Sequence, residues 1–160
     1  MDEETAVITE AALAEASRNQ TAKKAAQILT HSGSGFVIPT AARKRLLLVE
    51  FARRNFVVYG KAFDVVKLSG DVDLNDAADV EKNIDKIVLC EIKSTGRKLP
   101  ADFRGYFFAL TTAELLVAQN LKERFKFVLV NTTSGTYLEV TLRELFGRAR
   151  GIYPTWSIMF

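Results

Sequence analysis

The sequence predicts an α/β domain in which helices flank a β-sheet. The chain has 160 residues, of which 48% are hydrophobic, so it can bury one ordinary core. Short apolar runs bounded by turn residues indicate strands. Segments with helical composition, or with a Thr-x-x-Glu capping pattern, separate these runs. The predicted order is two helices, three strands, a helix, two strands and a last helix.

The chain is predicted to begin with two helices. Residues 9–29 are rich in Ala, Glu, Gln and Lys, which favours a helix. The sequence His31-Ser-Gly-Ser-Gly35 then ends this helix as a loop or hinge. Thr40 is expected to be the N-cap of a second helix over about 41–54.

Three strands are predicted next. The runs 56–59 and 63–68 are strand-like, and Gly60 between them indicates a hairpin. Residues 69–85 are polar and acidic, which predicts a loop with a helical turn. The run 87–92 begins with consecutive apolar residues, which is typical of a strand buried on both faces.

Two capping boxes organise the second half of the chain. Thr111 and Thr141 each stand three residues before a glutamate, which predicts that a helix begins at each of them. The other expected elements are a helix over about 112–123, strands over 125–130 and 136–140, a short helix to about Ala149, and an edge strand in the aromatic tail 152–160.

The composition excludes several kinds of protein and site. Cys90 is the only cysteine and His31 the only histidine, so an intrachain disulfide, a cysteine zinc cluster and a two-histidine site are excluded. No apolar run is long enough to span a bilayer, and the acidic start of the chain is unlike a signal peptide. These features predict a protein of the reducing cytoplasm with no membrane partner.

The charge distribution favours a polyanionic partner. The net charge is only +3, but residues 1–17 and 71–85 are both acidic, so the remainder of the chain is strongly basic. A basic body of this kind is typical of proteins that bind nucleic acid, although a merely solvated basic surface remains open.

Charged residues interrupt three elements that are otherwise apolar. Glu91 and Lys93 follow the buried run 87–90 and lie two residues apart, so both side chains point to the same face of the strand. Asp64 interrupts the preceding strand, and Glu50 lies on or beside the apolar stripe of the second helix. Because burying such charges is costly, they either pair with neighbours or bind a charged ligand.

Carboxylates grouped in this way suit Mg²⁺ or Mn²⁺, which prefer oxygen ligands and bridge to phosphate. A lysine beside them can orient or deprotonate a metal-bound water, or stabilise charge that develops on phosphate. The simpler alternatives are a surface pair of Glu91 and Lys93, a hairpin-end charge at Asp64, and pairing of Glu50 with Arg53 or Arg54.

Asp64 followed by Glu91-Ile92-Lys93 at the end of a buried strand resembles the motif of the PD-(D/E)XK nuclease superfamily. Glu50 is similar to the acidic residue that these enzymes often carry on the preceding helix. The stretch from Glu91 through the 125–130 strand also resembles Mrr-type and restriction-enzyme-associated domains. The resemblance covers about residues 41–133.

This resemblance implies a restriction-endonuclease-like core with a mixed sheet, here in residues 36–160, preceded by an extra helical segment and hinge in 1–35. It implies that Asp64 and Glu91, assisted by Glu50, bind Mg²⁺ with Mn²⁺ as a substitute. Lys93 then assists the attacking water.

The sequence departs from the family pattern in two places. Phe63 precedes Asp64 where the family has proline, and the acidic segment 71–85 is inserted before Glu91. Asp71 or Asp73 is therefore an alternative metal ligand.

The implied activity is Mg²⁺-dependent hydrolysis of DNA phosphodiester bonds, and a type II restriction endonuclease of prokaryotic or phage origin is favoured. Homing endonucleases and Holliday-junction resolvases of the same fold are alternatives, as are a non-catalytic DNA-binding or assembly subunit and a plain interaction domain. Because one such domain has one active site, double-strand cleavage predicts a homodimer or larger assembly.

Candidate DNA contacts are the basic and hydroxyl residues near the site elements. They are Arg43, Lys44, Arg45, Ser94, Thr95, Arg97, Lys98 and Arg104. Those that follow Lys93 belong to the loop directly after the catalytic strand, which makes them the best candidates for phosphate contacts. For the two hydroxyl residues, local hydrogen bonding is the competing interpretation.

Overall fold

The computed structural model describes residues 19–154. The helices are α1 (19–31 in its described part), α2 (Ala41–Arg53), α3 (Ala77–Lys82), α4 (Thr112–Leu121) and α5 (Leu142–Arg148). The strands are β1 (Phe36–Val37), β2 (Val65–Leu68), β3 (Ile87–Thr95), β4 (Phe125–Asn131) and β5 (Tyr137–Val140). Two short 3₁₀ turns, Ile84–Lys86 and Lys122–Arg124, precede β3 and β4.

The five described strands form one open, mixed sheet in the order β1-β2-β3-β4-β5. The β3–β4 pair is parallel and the other three pairs are antiparallel. A parallel pair needs a crossover connection, and α4 supplies it. The predicted α/β class, with a sheet flanked by helices, is therefore confirmed.

Helices cover both faces of the sheet. On one face, Leu47 and Phe51 of α2 and Val117 of α4 are fully buried against the sheet. On the other face, Ala25 and Leu29 of α1 are fully buried. Both layers are built from apolar side chains, and removing such area from water is the main stabilising term of a domain of this size.

The central strand β3 contributes to both layers, as predicted from its apolar run. Leu89 belongs to the core under α2 and α4, whereas Cys90 and Ile92 belong to the core under α1. Glu91 and Lys93 share the face of Leu89 because side chains alternate along a strand. Cys90 therefore faces away from Glu91, as the alternation predicts.

The predicted helix starts are confirmed. The Thr40 side chain accepts a hydrogen bond from the Arg43 amide, and α2 begins at the next residue after Thr40. Both capping boxes are complete, so that Thr111 and Thr141 each exchange hydrogen bonds with the glutamate three residues later.

The predicted hairpin around Gly60 is wrong. Residues 56–59 form no strand, and β1 rather than this run pairs with β2. The Val57 amide instead donates to Asn120 Oδ1 at 2.9 Å, while Phe56 and Val58 pack against the core. These contacts anchor the run to α4 and to the core without a strand partner.

The loop or hinge predicted at 31–35 is observed as a turn over residues 32–35, and its role as a hinge stays a prediction. Leu68 N donates to the Gly35 carbonyl at 2.9 Å, which leads the chain into β1. Gly35 has a φ of +81°, and a Cβ at this position would clash with the Leu68 carbonyl. Glycine is therefore required where the chain leaves α1 and joins the sheet.

The terminal predictions fall partly outside the described residues. The helix predicted over 9–29 is observed from 19 to 31, and its first ten positions lie outside the described residues. Of the tail 152–160, residues 152–154 have no regular structure and the rest lie outside. The loop predicted over 69–85 contains the short helix α3. Among the described helices, none has the length and apolar character that a membrane span requires.

Candidate active site

The pairing of β2 with β3 places Asp64 beside Glu91. Val65 pairs with Cys90, and the Asp64 amide donates to the Cys90 carbonyl at 2.9 Å. Asp64 Oδ2 in turn accepts a hydrogen bond from the Ile92 amide at 3.0 Å. The backbone of β3 therefore holds the carboxylate of Asp64, the residue directly before β2.

Lys93 lies between two carboxylates. Its Nζ donates to Glu91 Oε1 at 3.0 Å and to Glu114 Oε2 at 2.8 Å. The side chains of Lys93, Glu91 and Glu114 are only 12%, 10% and 6% exposed. The three groups therefore form a compact ion-pair cluster, in which each charge is largely removed from water but has a partner.

Glu114 is a member of this site that the sequence analysis assigned only to helix capping. Its Oε2 accepts from the Thr111 amide at 3.0 Å and from Lys93. Because the crossover joins two parallel strands, α4 begins near the carboxyl end of β3. The sequence held one signal for this role: the helix that follows the candidate strand begins with a capping glutamate.

The electrostatics of the cluster favour the protonated form of Glu91. Burial, followed by repulsion from Asp64, raises the pKa of Glu91 to about 9 against the opposing attraction of Lys93. Burial alone would lower the pKa of Lys93, but its hydrogen bonds and attraction to Glu114 and Glu91 outweigh burial and raise it. Lys93 is therefore an ammonium donor at neutral pH.

Asp64 and Glu91 each keep one carboxylate oxygen that no described residue hydrogen-bonds, namely Oδ1 of Asp64 and Oε2 of Glu91. Among residues 19–154, no three His, Cys, Asp or Glu side chains come together as a complete metal-binding group. Mg²⁺ typically takes only one or two carboxylates and completes its shell with waters and phosphate. The two carboxylates fit that demand, and a full protein cage is absent from the described residues.

Glu50 lies apart from this cluster. Its side chain is buried in α2 and accepts from Arg53 Nη1 at 2.9 Å. No contact within residues 19–154 joins it to Asp64 or Glu91. Pairing of Glu50 with Arg53 is thus confirmed, and its role as an assisting metal ligand stays a prediction.

Asp64 is the carboxylate that adjoins Glu91, rather than the alternatives Asp71 and Asp73. The register pairs Leu68 with Ile87, so both alternatives follow the opposite end of β2. Asp73 Oδ1 also accepts from the Asn75 amide at 2.9 Å, which gives it a local role in the turn.

The three consecutive basic residues near the start of α2 have different positions. Lys44 Nζ donates to the carbonyls of Phe63 at 2.5 Å and Gly60 at 3.2 Å, and lies over the Phe63 ring. Lys44 therefore holds the residue that precedes Asp64. Arg43 donates to Asn75 Oδ1 at 2.9 Å, and Arg45 is exposed.

The residues after Lys93 divide into local and exposed groups. The Ser94 carbonyl accepts from the Tyr106 hydroxyl at 2.7 Å, and the buried Thr95 side chain accepts from the Arg97 amide at 3.1 Å. The Thr95 contact matches the local interpretation of its hydroxyl. The Ser94 contact uses the backbone carbonyl, so a role for the Ser94 hydroxyl stays a prediction. The side chains of Arg97, Lys98 and Arg104 are exposed in the following loop.

A cavity of about 340 Å³ opens next to Asp64. Ile38 and Ile92 form its apolar floor, and α1 contributes Lys23 and Gln27. The described part of α1 therefore comes close to Asp64, whereas Glu91, Lys93 and Glu114 do not line this cavity.

No family model, no curated protein and no solved structure matches this chain. The arrangement of Asp64, Glu91, Lys93 and Glu114 is therefore the basis for a functional proposal.

Proposed function

We propose that this protein is a Mg²⁺-dependent DNA endonuclease with a PD-(D/E)XK-type core. One observation carries the proposal: Asp64, directly before β2, lies opposite Glu91 of β3, and Glu91 accepts a hydrogen bond from the ammonium of Lys93. The sequence resemblance and the mixed sheet flanked by helices support the same conclusion.

Asp64 and Glu91 would hold the metal through the oxygens that no described residue hydrogen-bonds. Mn²⁺ has the same ligand preference and would substitute for Mg²⁺. A bound divalent ion lowers the pKa of a coordinated water and stabilises negative charge on a phosphoryl oxygen.

Two further residues position Asp64 and Lys93 without binding the metal themselves. Lys44 holds the Phe63 carbonyl and so fixes the backbone that carries Asp64. Glu114 holds the Lys93 ammonium from the side of α4. Lys93 is thereby kept where a cation can orient the attacking water and attract the scissile phosphate.

The exposed basic side chains supply the phosphate contacts. Arg97, Lys98 and Arg104 lie in the loop that begins where β3 ends, and Arg45 lies exposed on α2. Arginine and lysine contacts to phosphate position a duplex without reading its sequence. DNA binding is expected to weaken steeply as salt rises.

A type II restriction endonuclease is the favoured role within this class. The chain supplies one candidate site, so cutting both strands of a duplex calls for a homodimer or a larger assembly. A homing endonuclease would use the same site on a duplex with a different target sequence, and a Holliday-junction resolvase would use it on four-way DNA.

Cleavage of supercoiled plasmid and phage DNA tests the proposal, with Mg²⁺ and with EDTA. Asp64→Asn preserves the acceptor for the Ile92 amide but loses the charge, and we expect cleavage to fall at least 100-fold. Asp71→Asn is the matched control at the opposite end of β2, and it should cleave like the wild type.

Two results would contradict the proposal. One is Mg²⁺-dependent cleavage that Asp64→Asn keeps at the wild-type rate. The other is folded protein that cuts no duplex, nicked or four-way DNA.

The pairing of Lys93 with both Glu91 and Glu114 favours a second candidate, a non-catalytic DNA-binding or assembly subunit. A buried ion pair of this kind can serve conformational specificity alone. This candidate predicts salt-dependent DNA binding that Mg²⁺ leaves unchanged, with cleavage by neither the wild type nor the Asp71→Asn variant.

A further inference from the structure

The loop between β3 and α4 presents an unusual aromatic side chain. Phe107 is 76% exposed, which is the highest value among the large hydrophobic residues described as exposed. Leaving a phenylalanine in water forgoes the burial that normally stabilises such a residue. An aromatic ring this exposed, on the loop that follows the candidate site strand, is available for contact with a partner.

The neighbours of Phe107 hold it outward. Phe103 is 5% exposed, and the Tyr106 ring lies between the rings of Phe103 and Phe108 at centroid distances of 6.2 and 5.0 Å. The Tyr106 hydroxyl donates to the Ser94 carbonyl at 2.7 Å. The two aromatic residues that flank Phe107 are half-buried and contact each other, and the Tyr106 hydroxyl ties the loop to β3.

Both ends of this loop are fixed to the candidate site. At its start, the Arg97 carbonyl accepts from Asn131 Nδ2 at 3.0 Å. At its end, the Thr111 amide donates to the same Glu114 oxygen that Lys93 contacts. Phe107 is therefore carried by a backbone whose two ends are set by the strands and helix of the site.

The loop is also basic. Arg97, Lys98 and Arg104 are exposed, and Asp102 is the only acidic residue between Gly96 and Thr111. Asp102 and Arg104 lie 3.9 Å apart as a largely exposed pair, and the loop keeps a net positive charge from its three basic residues. The charge complements a polyanion, and an aromatic face among basic residues suits the bases of that polyanion.

We propose that Phe107 stacks on a nucleobase of bound DNA, at a step that is opened or unpaired near the scissile phosphate. This inference rests on the proposed function for its substrate class, and it adds a base contact to the phosphate contacts described above. Every base has a face that can stack, so this contact contributes affinity without requiring a particular sequence.

A gapped DNA duplex with 2-aminopurine in its single-stranded gap is the probe, and binding is measured in EDTA so that no cleavage occurs. We expect Phe107→Ala to bind about 5- to 150-fold more weakly than the wild type. Phe107→Trp should restore the affinity. Quenching of 2-aminopurine fluorescence should accompany binding of the wild type and Phe107→Trp, and be lost in Phe107→Ala.

Phe146→Ala is the matched control, because Phe146 is another exposed phenylalanine, on α5. It should bind the probe like the wild type. Salt dependence separates stacking from phosphate contact: Phe107→Ala should keep the wild-type slope of log affinity against log salt, whereas Arg97→Ala should reduce that slope by about one.

Equal affinity of Phe107→Ala and the wild type would overturn the inference, as would a wild type that does not bind the probe. A change in oligomeric state of Phe107→Ala with unchanged DNA affinity would also overturn it and assign Phe107 to an interface between copies. Cleavage is scored separately: stacking without cleavage would contradict only the endonuclease, and cleavage without a Phe107 effect would contradict only the stacking.

Discussion

Two helices of this protein begin with the same four-residue pattern but have different surroundings. Thr111 caps α4 and Thr141 caps α5, and in both the glutamate three residues later completes the capping box. Glu114 is buried and contacts Lys93. Glu144 is exposed and bonds only within its own box among the described contacts.

The difference shows what a capping box determines and what it leaves open. The box fixes where a helix begins, because it satisfies amides that the helix itself cannot. It does not determine what the glutamate faces. α4 crosses between two parallel strands, so its first turn meets Lys93 of β3, whereas α5 follows the last described strand of the sheet.

The largest effect on stability is expected from substitution of Lys93. Lys93 forms an ion pair with Glu114, and no described residue forms such a pair with Glu144. Lys93→Met leaves the buried Glu114 without its cation and Glu91 without its hydrogen-bond donor, so we expect the free energy of unfolding to fall by about 3 kcal/mol. Lys126→Met is the control, because Lys67 still pairs with Glu139 in that variant.

Lys126→Met is expected to cost less than about 1 kcal/mol. Urea denaturation measures both variants at neutral pH. If the two variants unfolded at the same urea concentration, the cluster around Lys93 would be no more important for stability than an ordinary partly exposed ion pair.

The second effect concerns pH, because the two regions respond in opposite directions. The pKa of Glu91 is raised to about 9, so the native state keeps a proton that the unfolded chain releases above about pH 4.5. In EDTA, stability should fall as pH rises through this window, by at most about 1.4 kcal/mol per pH unit. Glu91→Gln should make the free energy of unfolding nearly independent of pH in this window.

Hydrogen bonds from the Thr141 backbone and side chain lower the pKa of Glu144. The stability that Glu144 contributes is therefore present above the pKa it has in the unfolded chain. This stability is lost as pH falls through its pKa in the folded protein. Glu144→Gln should change only the acidic limb of the stability profile. Parallel profiles for the wild type and Glu91→Gln between pH 5 and 9 would contradict the assignment of the alkaline limb to Glu91.

The smallest effect compares the two glutamates directly. Gln can replace Glu in a capping box, so both Glu114→Gln and Glu144→Gln should keep their helix starts. Only Glu114→Gln removes a charge that faces a buried lysine. We expect a loss of about 1–2 kcal/mol for Glu114→Gln and a few tenths of a kcal/mol for Glu144→Gln.

DNA cleavage adds a readout that stability alone would not change. If Glu114 positions Lys93, Glu114→Gln should lower kcat about tenfold with little change in KM, and Glu144→Gln should leave both unchanged. Equal kinetics for the two variants would show that Glu114 only stabilises the fold.

Local patterns in the sequence determined much of this fold. The three threonine caps, the strands β3 and β4, and the common face of Glu91 and Lys93 all follow from interactions within a few residues. A capping side chain reaches the amide three residues on, and side chains alternate on every strand. Such features can be inferred without knowing what lies across the sheet.

Only the tertiary structure decided which distant segments meet. It placed β1 rather than residues 56–59 beside β2, and it brought Glu114 to Lys93 while Glu50 stayed with Arg53. Strand pairing and ion pairing between separate elements depend on which buried faces pack best together. That choice depends on the whole core, so no short stretch of the sequence contains it.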